Sequence, residues 1–303
     1  MYKLNFMRFL ALPALAALFA AGPALAQQDF SKVEITTDKL SDTTYMLTGA
    51  GGNIGLSVGS DAVFVIDDQF APMAPKIKAA IARITNKPVQ FLLNTHFHFD
   101  HTGGNEAFGS GGALIVAHDN VRRRMSSQQL ISFIGAKQEA SPKVALPVVT
   151  VPTEVTFHIN GDEVHAFHVP NAHTDGDLIV HLRKSDVVHM GDTFFNGMYP
   201  FIDGSSGGSA DGVIAAADRV LAIAGDKTKI IPGHGPLASK VDLQAWRTML
   251  ATATQRIKDL RRAGKSDEEI RAARPTADLD ARYGGGFIKP EQFTMMLLGV
   301  ITK

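Results

Sequence analysis

The sequence predicts an α+β fold in which two β-sheets are flanked by helices. Short apolar or alternating segments bounded by turn residues predict strands, and segments with apolar residues three and four positions apart predict helices. The two kinds of segment follow one order twice: strands, helix, strand, helices. Two such halves indicate a sandwich with its helices outside, although periodicity alone establishes only mixed α and β structure in one domain.

The composition excludes several classes of protein. The chain has 303 residues, 30 basic and 30 acidic side chains, and 45% hydrophobic residues. A disordered chain would instead combine low hydrophobicity with high net charge. Zero net charge gives no reason to expect a nucleic-acid partner. Because cysteine is absent, disulfides, thiolate metal ligands, iron–sulfur clusters and a cysteine nucleophile are excluded.

Residues 1–26 have the pattern of a secretory signal peptide. Basic residues begin the segment, an apolar run follows over 9–20, and a small-x-small cleavage pattern ends at Ala26. The alternative is a membrane anchor, but the apolar run is shorter than the roughly 20 residues that a span needs. We therefore expect a periplasmic or secreted protein with its domain over 27–303 and no membrane span after signal cleavage.

The first half begins with three strands. Residues 45–48, 54–58 and 62–66 are short apolar or alternating runs separated by Gly, Asp and Ser. Helices and buried strands then alternate, with helical spacing over 74–84, 103–108 and 121–133 and apolar runs over 89–93 and 113–117. Residues 135–152 contain three prolines and little periodicity, which predicts a loop or a lid.

The second half begins with four strands, which are predicted at 155–159, 163–168, 178–182 and 187–190. An amphipathic helix, a short strand and three more helices follow, at 210–224, 230–231, 243–263, 266–273 and 290–301. Ser266 and Glu269 have the spacing of a capping box, which marks the start of a helix.

The segment after the strand 89–93 concentrates side chains that bind metals, namely His96, His98, Asp100 and His101. Three histidines and an aspartate within six residues are costly beside a core unless something binds them. In an extended segment, positions i and i+2 share a face, so His96 and His98 point together. Asp100 and His101 follow a turn of the chain and aim at a second point. Imidazole and carboxylate suit zinc, iron or manganese; the alternative is a surface histidine cluster.

Three further polar residues come directly after apolar strands. His173 lies in a turn after 163–168, Asp192 follows 187–190, and His234 lies between glycines and prolines after 230–231. Each of them alone is weak evidence, because a turn histidine or aspartate is more often simply solvated. Since each follows a strand, all three are expected at one end of the sheets with the first cluster.

At this point the sequence resembles the metallo-β-lactamase-fold hydrolases, over about Tyr45 to Pro236. The Thr-His-x-His-x-Asp-His segment, the later histidine, Gly-Asp-Thr and Pro-Gly-His-Gly match the metal motifs of this family in order. The resemblance implies an αβ/βα sandwich with two metal ions between the sheets, expected to be Zn²⁺ with iron or manganese as alternatives. One ion would take His96, His98 and His173, the other Asp100, His101 and His234, and Asp192 would bridge both. It also implies that Asp67 orients a ligand, against the alternative of a simple turn residue.

The chemistry expected of such a site is hydrolysis. A metal-bound hydroxide would open or cleave a small amide or ester, with a β-lactam as the first expectation, and Asp100 would act in catalysis by moving a proton. Two departures argue against the cysteine-containing β-lactamase subclasses: Asp192 stands where they have cysteine, and Phe195 where they have a lysine that holds the substrate carboxylate. Lactonase or thioesterase activity, a mononuclear iron dioxygenase using His96, His173 and Asp192, and a non-catalytic metal-binding protein remain alternatives.

Two further regions are candidates for contact with a small-molecule substrate. Residues 198–202 carry aromatic and apolar side chains that would line a pocket, with a packed loop as the alternative. His118 ends a strand at the same end of the sheets and would support a ligand or contact substrate, with a surface role as the alternative. Basic residues near the C-terminus have helical spacing, which favours a solvated face over a glutathione site; they are Arg256, Lys258, Arg261, Arg262 and Lys265.

Overall fold

The structure is a computed structural model that describes residues 29–301. The predicted signal segment 1–26 lies outside these residues. Within 29–301, none of the helices combines the length and the apolar composition that crossing a bilayer requires.

Fourteen strands within the described residues form two large sheets and one hairpin. In chain order the strands are β1 (Thr36–Lys39), β2 (Thr44–Thr48), β3 (Ile54–Val58), β4 (Val63–Ile66), β5 (Phe91–Leu93), β6 (Leu114–His118), β7 (Gln129–Ile131), β8 (Ala136–Gln138), β9 (Val149–Val151), β10 (Glu154–Ile159), β11 (Asp162–His168), β12 (Leu178–Leu182), β13 (Val187–His189) and β14 (Lys229–Ile231). The first sheet has the order β1-β2-β3-β4-β5-β6-β9, and the second has the order β10-β11-β12-β13-β14. The hairpin pairs β7 with β8.

The helices within the same residues are α1 (Ala74–Ala82), α2 (Phe99–Thr102), α3 (Asn105–Ser110), α4 (Asp119–Met125), α5 (Ala210–Ile223), α6 (Lys240–Arg262), α7 (Asp267–Ala272), α8 (Asp280–Tyr283) and α9 (Pro290–Val300). Helix α7 begins at the predicted capping box, in which the Ser266 side chain accepts from the Glu269 N–H and the Glu269 side chain accepts from the Ser266 N–H.

The two large sheets pack face to face. Met46 and Phe64 of the first sheet share an apolar cluster with Val164 and Val180 of the second. Across this interface the rings of Phe64 and Phe157 meet edge to face, with 5.0 Å between centroids. Helix α1 packs on the outer face of the first sheet, and α5, α6 and α9 pack on that of the second. The predicted sandwich of two sheets flanked by helices is therefore confirmed.

Parallel pairing brings several strand ends to one edge of the sandwich. In the first sheet β4, β5 and β6 run parallel, and in the second sheet β13 and β14 do so. The carboxyl ends of parallel strands lie at the same edge, where polar loop residues gather. Asp67, His96, Asp192 and His234 all follow the ends of these strands.

The prediction of a helix over 121–133 is wrong beyond Met125. The Ser126 hydroxyl donates to the Arg122 carbonyl, and the Gln129 amide donates to the Arg124 carbonyl. These side chains satisfy carbonyls of the last turn, which ends the helix. The residues that follow form β7, in which Ile131 packs in the core of the second sheet while its neighbour Leu130 is exposed, the alternation of a strand.

The prediction of a loop or a lid over 135–152 is also wrong in part, since the segment is not loop throughout. It contains β8 and β9, and β9 pairs parallel with β6 at the edge of the first sheet. Both are three-residue strands, which are too short to produce a periodic pattern. Each becomes a strand because it pairs with a neighbouring strand, and the sequence does not show which segments pair.

Candidate metal centre

The segment after β5 presents four of the predicted residues through a change of backbone conformation. His98 is extended, with φ −61° and ψ 147°, and the short helix α2 begins directly after it. The extended part places the imidazoles of His96 and His98 on one side, with 4.8 Å between ring centroids. The helical turn carries Asp100 and His101 towards a second position, so one strand end supplies both halves of the site.

The first group of side chains consists of His96, His98, His173 and Asp192. One ligand atom from each lies within 4.8 Å of all the others. His98 Nδ1 and His173 Nε2 are 2.9 Å apart. All four residues are at least 95% buried, so this group lies in the interior between the sheets.

The second group consists of Asp100, His101 and His234, whose ligand atoms meet the same 4.8 Å limit. His101 Nε2 is 3.4 Å from His234 Nε2, and Asp100 Oδ2 is 3.3 Å from His234 Nε2. The Asp100 and His234 side chains are 19% and 25% exposed. The centre therefore opens to solvent on the side of this second group.

Asp192 lies between the two groups and faces each with a different oxygen. Its Oδ2 is 3.8 Å from His96 Nε2 and 3.6 Å from His173 Nε2. Its Oδ1 is 3.0 Å from His101 Nε2 and 3.3 Å from His234 Nε2. One carboxylate thus reaches the ligand atoms of both groups, as a bridge between two cations requires.

Glycine makes room for this carboxylate. A Cβ on Gly233 would lie 2.1 Å from Asp192 Oδ1 and 2.6 Å from the Gly191 backbone. Gly191 itself has φ +51°, a conformation that glycine adopts without the strain that a side chain introduces. The Gly-Asp-Thr and Pro-Gly-His-Gly turns therefore fit together only because both contain glycine at their contact.

Hydrogen bonds on the outer nitrogens orient three of the imidazoles. The Asp67 carboxylate accepts from His101 Nδ1 at 2.8 Å and from the N–H and hydroxyl of Thr95 at 2.7 Å each. His173 Nδ1 donates to the Phe201 carbonyl at 2.9 Å, and His98 Nε2 donates to Asp203 at 3.1 Å. With those protons assigned, the other nitrogen of each ring has a lone pair that points into the centre.

The donor atoms of the centre are arranged to bind a cation. Within the described residues, His96 Nε2 and Asp192 Oδ1 are buried without a hydrogen-bond partner, which is costly unless another group binds them. The lone pairs of His98 Nδ1 and His173 Nε2 also converge at 2.9 Å. Nitrogen and carboxylate donors in these sets suit zinc, iron or manganese. The chain thus has a His/Asp cluster consistent with a dinuclear metal site.

The electrostatics differ between the two groups. Burial lowers the pKa of His96 well below its usual range and that of His173 to about 4, so both imidazoles are neutral, as ligands must be. Burial opposes ionisation of Asp100, but His101 and His234 outweigh it and lower the pKa to about 2. Burial also opposes the charge on His234, but Asp192 and Asp100 raise its pKa to about 9. These shifts favour a protonated His234 beside the carboxylates of Asp100 and Asp192 when no metal is bound.

All seven predicted ligand residues come together in this centre, and Asp67 lies behind it in contact with His101. Sequence reasoning missed Asp203, Thr95 and the Phe201 carbonyl as supports of the histidines. Thr95 directly precedes His96 and belongs to the same motif, so its position in the sequence was a signal that could have indicated its role. Asp203 approaches His98 across 105 positions of sequence, so no local pattern indicates it.

His118 lies outside both groups. Its Nδ1 accepts from the Asn120 N–H and its Nε2 donates to the Pro152 carbonyl, while its ring stacks on His168 at 3.9 Å. It therefore caps α4 and has neither the predicted ligand-supporting role nor a surface position.

The 198–202 segment is mostly packed rather than open. Tyr199 is 1% exposed and stacks on Phe293 at 4.0 Å, which favours the packed-loop alternative. Phe201 does reach the centre, with its ring 5.6 Å from that of His173 and 5.9 Å from that of His98.

Comparison with known proteins gives matches that agree with this geometry. The family model of the metallo-beta-lactamase superfamily matches residues 47–234. A hydroxyacylglutathione hydrolase of Polaromonas sp. is 26% identical over 192 residues, which is 60% of this chain and 65% of that protein. A probable hydroxyacylglutathione hydrolase of Schizosaccharomyces pombe is 27% identical over 198 residues, 63% of this chain and 66% of that protein. The chain therefore spans slightly less than two thirds of either relative.

Other matches extend the range of named activities. The alpha subunit of a 2,4-dinitroanisole O-demethylase from Nocardioides sp. is 23% identical over 172 residues, covering 54% of this chain and 47% of that protein. Among solved structures, the DIM-1 metallo-beta-lactamase has a TM-score of 0.58 at 17% identity and covers 73% of this chain and all of its own. A sec-alkyl sulfatase double mutant has a TM-score of 0.61 at 18% identity, with 80% and 45% covered. At these identities the solved structures show a shared fold alone.

Proposed function

Because this chain belongs to the metallo-beta-lactamase superfamily, we propose that it is a metal-dependent hydrolase that cleaves a small thioester or another small ester. The observation that carries the proposal is the placement of Asp192, whose two oxygens face two separate groups of ligand atoms. The named activity of the hydroxyacylglutathione hydrolases supports a thioester over the β-lactam that the sequence first led us to expect.

The residues present would hold two divalent ions, one in each group, with Asp192 between them. Ions held there would polarise the scissile carbonyl and lower the pKa of a water molecule towards neutrality. Asp67 and Asp203 orient His101 and His98 and stabilise the tautomers whose inner nitrogens are free to bind. This support keeps the ligand atoms in place before substrate arrives.

Asp100 is the residue placed to move a proton. Its carboxylate is 19% exposed on the open side of the centre, and its Oδ2 lies 3.3 Å from His234 Nε2. A carboxylate at the boundary between buried ligands and solvent can accept a proton from the attacking water and deliver one to the leaving group. A thiolate leaving group would need little such help, whereas an alkoxide would need more.

The surroundings favour a substrate without a strongly anionic acyl part. Phe195 stacks on the His234 ring at 5.2 Å and provides an apolar surface beside the second group. The five C-terminal basic residues each lie beside a carboxylate, in the pairs Arg256–Asp278, Lys258–Asp211, Arg261–Asp267, Arg262–Asp259 and Lys265–Glu269. Arg262 and Lys265 are exposed, as a solvated face requires, whereas Arg256, Lys258 and Arg261 are half-buried. Because all five are paired with carboxylates, the proposal does not specify glutathione.

The test begins with metal analysis of the purified protein, followed by turnover of a thioester, a lactone and a chromogenic β-lactam. We expect two metal ions per chain and metal-dependent cleavage of the thioester or lactone. Full loading with no turnover of any substrate would favour a non-catalytic metal-binding protein. A single iron per chain would instead favour the dioxygenase alternative.

We further propose that the chain is exported. The support is the signal pattern of residues 1–26, which lies outside the described structure. N-terminal sequencing of the protein recovered from the periplasm or medium should begin at Gln27, and retention of the intact chain in the cytoplasm would contradict export.

A further inference from the structure

We propose that Arg124 is a positioning residue for the first group of ligands, and that it raises the metal affinity of that group alone. Arg124 lies in the last turn of α4, outside the centre itself. It contacts both of the chain segments that carry the three histidines of the group. The inference rests on the metal-binding part of the proposed function and is independent of the substrate.

The first contact is with the segment that carries His173. Arg124 Nε and Nη2 donate to Asp175 Oδ1 and Oδ2, each at 2.8 Å. Asp175 lies two residues after His173, and its own carbonyl accepts from the Asn120 amide at 2.8 Å. A two-point pair between planar groups fixes orientation as well as distance. This pair therefore holds the His173 turn against α4.

The second contact is with the segment that carries His96 and His98. The Arg124 guanidinium carbon lies 5.4 Å from the centre of the Phe97 ring, within the range of a cation–π interaction. Phe97 is 1% exposed and packs in a small cluster with Val121. The centroid of the Phe97 ring also lies 4.5 Å from that of His98, so Arg124 packs on a ring that itself packs on one of the ligand imidazoles.

The guanidinium has little freedom to move between these contacts. Arg124 Nη1 donates to Gln129 Oε1 at 3.1 Å, and the Gln129 amide donates back to the Arg124 carbonyl at 3.1 Å. The Arg124 and Asp175 side chains are only 20% and 28% exposed, which limits solvent screening compared with an open surface pair. Arg124 thus acts as a fixed link between two segments that are distant in sequence.

The second group depends on different supports. His101 is oriented by Asp67 at the end of β4, and His234 lies in the turn where Gly233 packs on Asp192. Removal of the Arg124 link should therefore loosen the first group selectively. Interactions that orient ligands from outside typically contribute about 10- to 100-fold in metal affinity.

The test measures zinc affinity in metal-free protein by competition with a chromophoric chelator, so hydrolytic activity is not needed. In a His101→Ala background, which disables the second group, Arg124→Ala should weaken the remaining zinc position by about 10- to 100-fold. In a His98→Ala background, which disables the first group, the same substitution should leave the remaining affinity unchanged. Arg124→Lys should behave like Arg124→Ala, because an ammonium cannot make the two-point pair.

Arg247→Ala is the matched control. Arg247 makes the same two-point pair with Asp218, also at 2.8 Å for both bonds, between α6 and α5. The Arg247→Ala substitution should leave the zinc affinity unchanged in both backgrounds. The melting temperature of every metal-free variant is compared to detect a general loss of stability. Asp175→Asn breaks the pair while leaving Arg124 in place, and it serves if Arg124→Ala does not fold. Unchanged affinity in the His101→Ala background, or an equal loss in both backgrounds, would overturn the proposal.

Discussion

At the scale of single residues, three of the imidazoles in the centre are each oriented by a hydrogen bond on the nitrogen that faces away from it. Asp67 accepts three hydrogen bonds, two from Thr95 and one from His101. Its backbone has φ +62°, a conformation that non-glycine residues seldom adopt and that clusters at functional sites. This backbone conformation at the end of β4 places the Asp67 carboxylate within hydrogen-bond distance of Thr95 and His101.

Asp100→Asn should separate proton transfer from metal binding. The amide keeps the size and one oxygen ligand but removes the charge and the capacity to accept a proton. We expect some metal to remain while kcat falls by roughly 10²–10⁴, the usual share of general acid–base catalysis. Steady-state kinetics with metal analysis of the same sample measures both effects. Full metal with an unchanged kcat would remove Asp100 from the mechanism.

Gly233→Ala should impair the bridge between the two groups. The new Cβ would lie 2.1 Å from Asp192 Oδ1 and 2.6 Å from the Gly191 backbone, so one of them must move. Metal stoichiometry and turnover should both fall, because the displaced carboxylate no longer faces both groups. Gly299→Ala is the control, since no atom lies within 4 Å of the position of its Cβ. Normal loading in Gly233→Ala would show that the contact is not needed.

At the scale of elements, the turn between β12 and β13 depends on a carboxylate at the start of β11. Asp162 Oδ1 accepts from the N–H groups of Glu163 and Lys184, both at 2.7 Å, and its Oδ2 accepts from that of Ser185 at 2.9 Å. Burial acts to raise the pKa of Asp162, but the Ser185 side chain and these N–H donors outweigh it and hold the pKa below its usual value of 3.8. The ionised form is therefore favoured by folding.

Asp162→Asn should destabilise the protein more at neutral pH than in acid. A folded-state pKa below 3.8 gives stability that is present above that value and lost as the pH falls through the folded pKa. Urea unfolding of the metal-free proteins should show a lower free energy for the variant at pH 7 and a smaller difference near pH 3. The exposed Asp226→Asn serves as the control. A difference that is independent of pH would contradict this role of the charge.

At the scale of the whole molecule, the interface between the sheets supplies the platform for the centre. The ligands come from strand ends of both sheets, so their separation depends on how closely the two sheets pack. Phe64 is fully buried at this interface and contacts the rings of Phe91 and Phe157. Packing in the core thus determines whether the ligands from the two sheets meet within each group.

Phe64→Ala should lower the free energy of unfolding by about 3–5 kcal/mol, through lost burial and the cavity left behind. Phe287→Ala is matched in chemistry but is 66% exposed, and should change stability by no more than about 0.5 kcal/mol. Denaturant unfolding of the metal-free variants measures both. If both substitutions had equal effects, the sheet interface would not be the main source of stability.

The residue order was sufficient to predict the elements with strong periodicity and to select the side chains that gather at the candidate metal centre. The strands from 45 to 66 and the helices over 210–224 and 243–263 have clear apolar patterns in the sequence. The structure has strands and helices at these positions. The seven candidate ligands could be chosen because their motifs follow the order of a known family, and the structure brings their ligand atoms together; that they bind metal stays a prediction. The periodic elements and the candidate ligands can therefore be predicted from the local sequence and from the chemistry of the side chains.

Only the tertiary structure decided how these features combine. The family resemblance implied two groups of ligands, but the use of a different Asp192 oxygen for each group and the support of His98 by Asp203 depend on contacts between distant positions. The strands β7, β8 and β9 likewise depend on the strands with which they pair. Each has only three residues, which is too short for an alternating pattern to appear in its sequence. Periodicity reports which face of an element is buried, but not which distant side chain it meets.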